Sequence, residues 1–201
     1  MKSVISQDGF VLGKNLEIHI YDNASDDSAF SELKKSFSQN GVFFKQFENN
    51  LGFSGASNIA AKEFVNSDKD NFLLLNPDLR LERDALGIMQ DSFQVDMKVG
   101  VVTPKIFKAD KSLNPLVPKV LDAAGMYVTP SLRHFDRGSG LVDSGQFDKP
   151  AYVFGGTGAC LLMKRDFVLD VSKEGFLDED LKALYPNLCS CLLYTSPSPR
   201  D

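Results

Sequence analysis

The sequence predicts an α/β chain on a doubly wound, mostly parallel sheet, and three observations carry that expectation. Short apolar runs end abruptly in polar breakers, most clearly where Phe72 to Leu75 meets Asn76-Pro77-Asp78; an unbroken run of that length suits a strand covered on both faces. Stretches with apolar residues at helical spacing separate these runs. Strand and helix therefore alternate along the chain, which implies right-handed crossovers. At 201 residues the chain is long enough for one such domain with a sizeable core.

In order, "NLEIHIYD" alternates Leu16, Ile18 and Ile20 with polar residues and reads as a strand, followed by a helix-capping loop of small polar residues after Asp22 and Asn23. Phe30, Leu33 and Phe37 share one face of a helix from Ser28 to Gln39, with Gly41 as its C-cap. Val42 to Phe47 gives a second strand. "NNLGFSGASNIAAKEFVNS" turns through Gly52 and Gly55 into a helix with Ala56, Ile59, Ala60 and Phe64 inward. The strand ending before Asp78 comes next, then a helix from Glu82 to Phe93 with Leu86, Met89 and Phe93 aligned, then a strand in "VGVVTPKIF". Lys108 to Pro150 has prolines, glycines and no sustained period, and reads as a long excursion over the binding edge of the sheet. Gly155, Gly156 and Gly158 lead into a strand from Ala159 to Met163 and a helix from about Lys164 to Val171.

Composition excludes several classes. No stretch is apolar enough to span a bilayer, and the N-terminus lacks the form of a signal peptide, so the expected location is cytoplasmic. The formal net charge of -5 argues against a nucleic-acid groove. Three cysteines, Cys160, Cys189 and Cys191, make neither a disulfide framework nor a metal box. Cys160 reads as a small core residue and His134 as a surface histidine. "CLLYTSPSPRD", residues 191–201, resembles the in-frame translation of a transposase adapter used in preparing sequencing libraries. It is set apart from residues 1–190 as non-native sequence that packs against nothing.

Three strand ends carry polar clusters: Asp22-Asn23, the turn from Gly52 to Asn58, and Asn76 to Asp78. Open α/β sheets bind ligands outside the carboxyl ends of their strands. Together the clusters offer hydrogen bonds for a nucleobase, a helix N-terminus for phosphate, and a carboxylate for a divalent cation. Taken alone, Asn76-Pro77-Asp78 is equally turn chemistry, and Asp178-Glu179-Asp180 equally an acidic solvated turn.

"YDNASDD", "NNLGFSGASNIA", "LLLNPDLRLERDAL" and "FGGTGACLLMKRD...GFLDED" stand in the same order and similar spacing in family 2 glycosyltransferases, the inverting enzymes of GT-A fold, which the chain resembles from Leu16 to Asp180. With "DAAGMYVTPSLRHFDRGSG" and "GQFDKPAYVFGG", it looks most like the bacterial rhamnosyltransferase branch. The resemblance implies a nucleotide-diphospho-sugar donor, dTDP-rhamnose among the choices, and a glycan or polyprenyl-linked acceptor. It also implies work at the inner face of the membrane in cell-wall polysaccharide synthesis. Carried over, Asp22 would meet the base, with Asn23, Gly52, Asn58 and Asn76 lining the nucleotide. Asp78 would hold Mg²⁺ or Mn²⁺ as the carboxylate of an Asp-x-Asp-like motif, and Gly155 and Gly156 would border the acceptor.

The sequence departs from the family in three places. Asn76 replaces the first Asp of the stricter motif. "MKSVISQDG" resembles the end of the family's first helix, so a preceding strand is expected to be missing. The register of the family's Glu-Asp general base holds Pro186 and Asn187, which leaves Asp178 and Asp180 as substitute candidates and suggests an incomplete domain, truncated at both ends and inactive as it stands, of a metal-dependent transferase. Two other readings stay open: a nucleotide-binding module without catalysis, and a flavodoxin-like or response-regulator domain on the same sheet.

Overall fold

The structure, a computed structural model, describes residues 1–172. Its elements in chain order are α1 (Lys2–Ile5), β1 (Ile18–Asp22), α2 (Asp27–Phe37), β2 (Val42–Gln46), α3 (Gly52–Val65), β3 (Asn71–Leu75) and α4 (Ala85–Val95), followed by β4 (Val101–Val102), β5 (Ile106–Phe107), β6 (Leu121–Ala123), β7 (Met126–Val128), β8 (His134–Asp136), β9 (Cys160–Lys164) and α5 (Arg165–Val171).

The core is built around β9, which lies between β3 and β4. Side chains alternate across a strand, and β9 is apolar on both faces, so it feeds two layers. Cys160 and Leu162 join Leu86, Met89 and Phe93 of α4 on one side. Leu161 and Met163 join Ala61 and Phe64 of α3 and Val168 and Val171 of α5 on the other. β3 follows the same rule, with Leu73 and Leu75 in the first cluster and Phe72 and Leu74 in the second. The sheet is thus covered by helices on both faces.

β1 and β2 form a separate parallel pair, with Ile18 opposite Val42 and Asp22 opposite Gln46. Ile18 of β1 packs into the cluster that holds Leu73 and Leu75. Phe30 of α2 meets Phe44 of β2 edge-on at 6.1 Å. The N-terminal segment is tied in by Gln7, 4% exposed. Its amide donates to Ser3 O (2.9 Å) and Glu82 O (2.7 Å), and its Oε1 accepts from the Leu86 N–H (2.9 Å).

Several expectations need correction. The sheet is not mostly parallel in its ladders: β1–β2 is the parallel pair among the described residues, while β9 runs antiparallel to both β3 and β4. The chain leaves β4, travels through the excursion and returns as β9 between β3 and β4. "VGVVTPKIF" is two short strands rather than one, because Thr103-Pro104 intervenes and proline donates no ladder hydrogen bond. The excursion is not structureless, since β5 pairs with β6 and β7 with β8. Lys105 pins it down, with Nζ 3.1 Å from Asp143 and 2.5 Å from Asp148. Gly41 does not cap α2, which ends at Phe37 with the Ser38 hydroxyl donating to Lys34 O at 2.6 Å. Gly41 instead sits at φ +87° at the entry to β2. In α3, Ala60 and Phe64 face inward as expected, but Ser54, Gly55, Ser57 and Ala61 complete the buried face in place of Ala56 and Ile59. No helix among the described residues is long and apolar enough to cross a membrane.

Candidate functional site

The parallel pair β1–β2 ends in a concave region, as carboxyl ends of parallel strands do. An open recess of ≈ 370 Å³ lies there, lined by Ala24, Ser25, Gln46, Phe47 and Glu48. Asp22 closes β1 beside it, and its carboxylate accepts from the Ser25 N–H at 3.0 Å. Ala24 is held at φ +63°, a conformation a non-glycine residue adopts only where the surroundings impose it. The next residue after Asp22 anchors a second element. Asn23 Oδ1 accepts from the Leu51 N–H at 2.7 Å, and Asn50 Oδ1 from the Gly52 N–H at 2.8 Å. Gly52, at φ +69°, begins α3 in a backbone conformation that suits glycine. Asn23 is thus joined to Leu51, the residue that precedes Gly52. Asn58 lies half-buried on α3, in the turn after the buried Ser54 and Gly55.

A second group forms at the carboxyl end of β3. Leu75 pairs with Cys160, and the Asn76 N–H donates to Ala159 O at 2.9 Å. The antiparallel course of β9 thus lays Ala159, at the entry to the strand, against Asn76. Gly156 is buried where a Cβ would come within 2.3 Å of Leu161 Cδ2 and 2.8 Å of Thr103 Cβ. Gly155 pairs with Met126 of β7. Asp78 is exposed, and no ion pair or side-chain hydrogen bond engages its carboxylate among the described residues. No hydrogen bond or ion pair joins this group to Asp22, Asn23 or Gly52 among the described residues.

Sequence reading missed the outer face of β1–β2. Tyr21 donates to Glu63 Oε2 at 2.6 Å, and Lys45 Nζ stands 2.5 Å from Glu63 Oε1. Burial and the adjacent Glu63 carboxylate hold the Tyr21 phenol above its usual range. Burial would raise Glu63, but the hydrogen bonds from Lys45 and Tyr21 outweigh it and hold the carboxyl below its usual range. This network fastens α3 to β1 and β2. Strand alternation alone could have found Tyr21 and Lys45, which share a face in adjacent strands. Gln46, Phe47 and Glu48 carried no signal beyond a strand ending.

Cys160 is buried in β9, and burial pushes its thiol up to about 12, so it is a core residue. His134 lies half-buried in β8, opposite Val128. Asp178, Glu179, Asp180, Pro186, Asn187, Cys189 and residues 191–201 lie outside the described residues.

Chemically, the recess offers hydrogen-bonding groups and an aromatic ring, which suit a planar heterocycle. Among the described residues no three His, Cys, Asp or Glu side chains are placed to hold a metal ion. A cation at Asp78 would therefore draw most of its ligands from a bound diphosphate and water, a shell that Mg²⁺ accepts. A sequence model of the family described as glycosyl transferase family 2 matches residues 1–168. None of the curated proteins matches the chain.

Proposed function

The chain belongs to glycosyl transferase family 2, and from that membership we propose that it moves a sugar from a nucleotide-diphospho-sugar to a hydroxyl of a glycan or polyprenyl-linked acceptor, with inversion, on a GT-A-type doubly wound sheet. The observation that supports this best is the recess at the ends of β1 and β2, flanked by Asp22 and tied through Asn23 to the start of α3. In this reading the base enters the recess, Asp22 accepts its hydrogen bonds, and the diphosphate runs past the N-terminus of α3 toward Asn58 and Asn76. Asp78 would hold Mg²⁺ or Mn²⁺, which when bound offsets the charge of the departing nucleoside diphosphate. In this reading Gly155, with open space where a Cβ would stand, borders the acceptor, and the buried Gly156 behind it packs against Thr103 and Leu161. Asp178 and Asp180 are the carboxylates proposed to take the acceptor proton. dTDP-rhamnose is the first donor to try. The setting is bacterial cell-wall polysaccharide synthesis, in the cytoplasm and, for a lipid-linked acceptor, at the inner face of the membrane.

Calorimetric titration with dTDP, UDP and GDP, with and without Mn²⁺, tests the donor site. Metal-dependent binding of one of them is expected, and Asp78→Ala should weaken it about tenfold or more, the loss of one charged ligand interaction. Unchanged Mn²⁺-dependent binding by Asp78→Ala would overturn the metal assignment. Nucleotide binding with no nucleoside diphosphate release across a donor panel would favour a binding module without catalysis.

A further inference from the structure

We propose that Arg80 is a positioning residue for the candidate cation site: bound to Asn114, it ties the turn that carries Asp78 to the first loop of the excursion and so holds the carboxylate in place. The inference rests on the glycosyl transferase reading above, since it takes Asp78 as the protein ligand of the cation.

The stretch after β3 is anchored at both ends. The Asn76 N–H donates to Ala159 O at 2.9 Å, and the Leu81 N–H to the Ser3 hydroxyl at 3.3 Å. Between these anchors the side chains alternate. Leu79 and Leu81 pack into the cluster that holds Leu86, Met89 and Phe93, while Asp78 and Arg80 are exposed. The two leucines thus hold the stretch from one side and leave Asp78, in the turn it forms with Pro77, on the other.

Arg80 supplies a contact on that other side. Its Nη1 donates to Asn114 Oδ1 at 2.9 Å, 34 positions further along the chain, and its Nη2 lies 3.7 Å from Glu82 Oε1. Asn114 is itself held. Asp110 Oδ1 accepts from the Ser112 N–H at 2.8 Å and the Asn114 N–H at 3.0 Å, and the Asp110 N–H donates to Asn114 O at 2.9 Å. Leu113, between them, is kept at φ +60°, a conformation a non-glycine residue adopts only where the surroundings impose it. The N–H bonds from Asn114 and Ser112 hold the Asp110 carboxyl below its usual range, and the Arg80 charge acts the same way. A closed loop therefore offers Asn114 Oδ1 as a fixed acceptor, and an arginine two residues from Asp78 takes it. The Asp78 carboxylate accepts no side-chain hydrogen bond among the described residues, so order reaches it through its own backbone. A cation with one protein carboxylate binds more tightly when that carboxylate is ordered beforehand, because ordering it on binding costs affinity.

Calorimetric titration of the full chain with dTDP, UDP and GDP, each with and without Mn²⁺, gives the factor by which the metal tightens the nucleotide. Arg80→Ala and Asn114→Ala should each cut that factor about threefold, the size an exposed hydrogen-bonded pair carries, and leave metal-free affinity unchanged. The double variant should lose no more than either single one, since the two residues form one tie. Arg80→Lys should restore most of the factor, because Asn114 Oδ1 takes a single N–H. Arg83→Ala removes an exposed arginine from the same stretch, one paired with Asp8 instead, and should change nothing. An unchanged factor in both alanine variants overturns the inference alone, as does an equal loss without metal or an equal loss in Arg83→Ala. An unsubstituted chain that binds all three nucleotides no better with Mn²⁺ overturns the metal assignment of Asp78, and the role of Arg80 with it, so the starting protein tells the two failures apart.

Discussion

The sheet around β9 and the parallel pair β1–β2 are held together by different means. In β9, Leu161 and Met163 are 0% exposed and each face is filled from a different helix layer. In β1–β2 one face carries His19 stacked on Phe43 at 4.7 Å and the ion pair Lys45–Glu63, all open to water. The first unit is stabilised by apolar burial, the second by backbone approach and polar contacts at its rim. The recess lies on the second. A binding surface needs polar groups left accessible, and these cannot also fill a core, so the region that carries the candidate site is the less buried one.

Truncation tests this contrast most strongly. Leu161→Ala should destabilise the fold by about 3–5 kcal/mol, because a fully enclosed leucine leaves a cavity that rigid neighbours cannot fill. Phe43→Ala, removing a ring that is 47% exposed, should cost less than about 1 kcal/mol despite deleting more atoms. Urea unfolding midpoints of the two variants measure the difference. Equal losses would mean that the parallel pair is as much a part of the core as β9.

The next largest effect is expected where a polar group does structural duty inside the buried unit. Arg165 begins α5, and its guanidinium donates to Lys69 O at 2.7 Å, Val65 O at 2.9 Å, Phe64 O at 3.3 Å and to Ser67 O. These carbonyls lie at the end of α3 and in the loop after it, where the helix no longer supplies an N–H to each; Phe64 O also accepts from the Ser67 N–H and hydroxyl. Arg165→Ala should cost roughly 2–4 kcal/mol by stranding several of them. Arg165→Lys should recover little, since an ammonium cannot reproduce the planar fork. Full recovery by lysine, seen in thermal unfolding, would show that charge rather than geometry matters here.

How much of this was legible beforehand follows from the same contrast. Leu86, Met89 and Phe93 announced the inner face of α4 because burial on one side imposes a helical period. Asp22 and Asn76 were placed at strand ends because the apolar runs stop there. The direction of β9 was not legible, since Cys160 to Met163 is apolar throughout and an apolar run carries no mark of parallel or antiparallel pairing. The break at Pro104 was readable from proline's missing donor and was overlooked. Arg165 looked like any helix-starting basic residue, because its four acceptors lie about a hundred residues away. The recess residues Gln46, Phe47 and Glu48 gave no local signal, since they become a lining only when β2 pairs with β1.

Backbone approach in the outer unit can be tested at Gly41. At φ +87°, it sits where a Cβ would come within 2.4 Å of Gly13 N and 2.7 Å of Gly13 Cα. Both contacts are backbone and cannot rotate away. Its carbonyl also accepts from the Ile18 N–H at 2.8 Å, so displacement would disturb the start of β1. Gly41→Ala should cost about 2 kcal/mol, combining left-handed strain with the clash. Gly9, also left-handed at φ +82° but with open space around it, should lose only the strain on substitution by alanine, about 1 kcal/mol. Matching losses at the two glycines would remove the case for close packing between Gly13 and Gly41.

The smallest effect is electrostatic and lies on the excursion. Desolvation and the neighbouring Asp122 charge hold the Asp136 carboxyl above its usual range, with His134 acting weakly in the other direction. A carboxyl whose folded pKa lies above its unfolded value binds more protons when folded, so its ionised form opposes folding at neutral pH and that opposition fades as pH falls through the window between the two values. Asp136→Asn carries no charge at any pH. It should therefore be the more stable form at pH 7, by no more than about 0.5 kcal/mol for so exposed a position. The advantage should shrink on acidification and vanish below the unfolded carboxylate pKa. Melting temperatures of both proteins between pH 7 and about pH 3 would show this convergence. A gain that stayed constant with pH would point to packing or hydrogen bonding of the amide, and a loss at pH 7 would mean that the His134 contact outweighs the repulsion from Asp122.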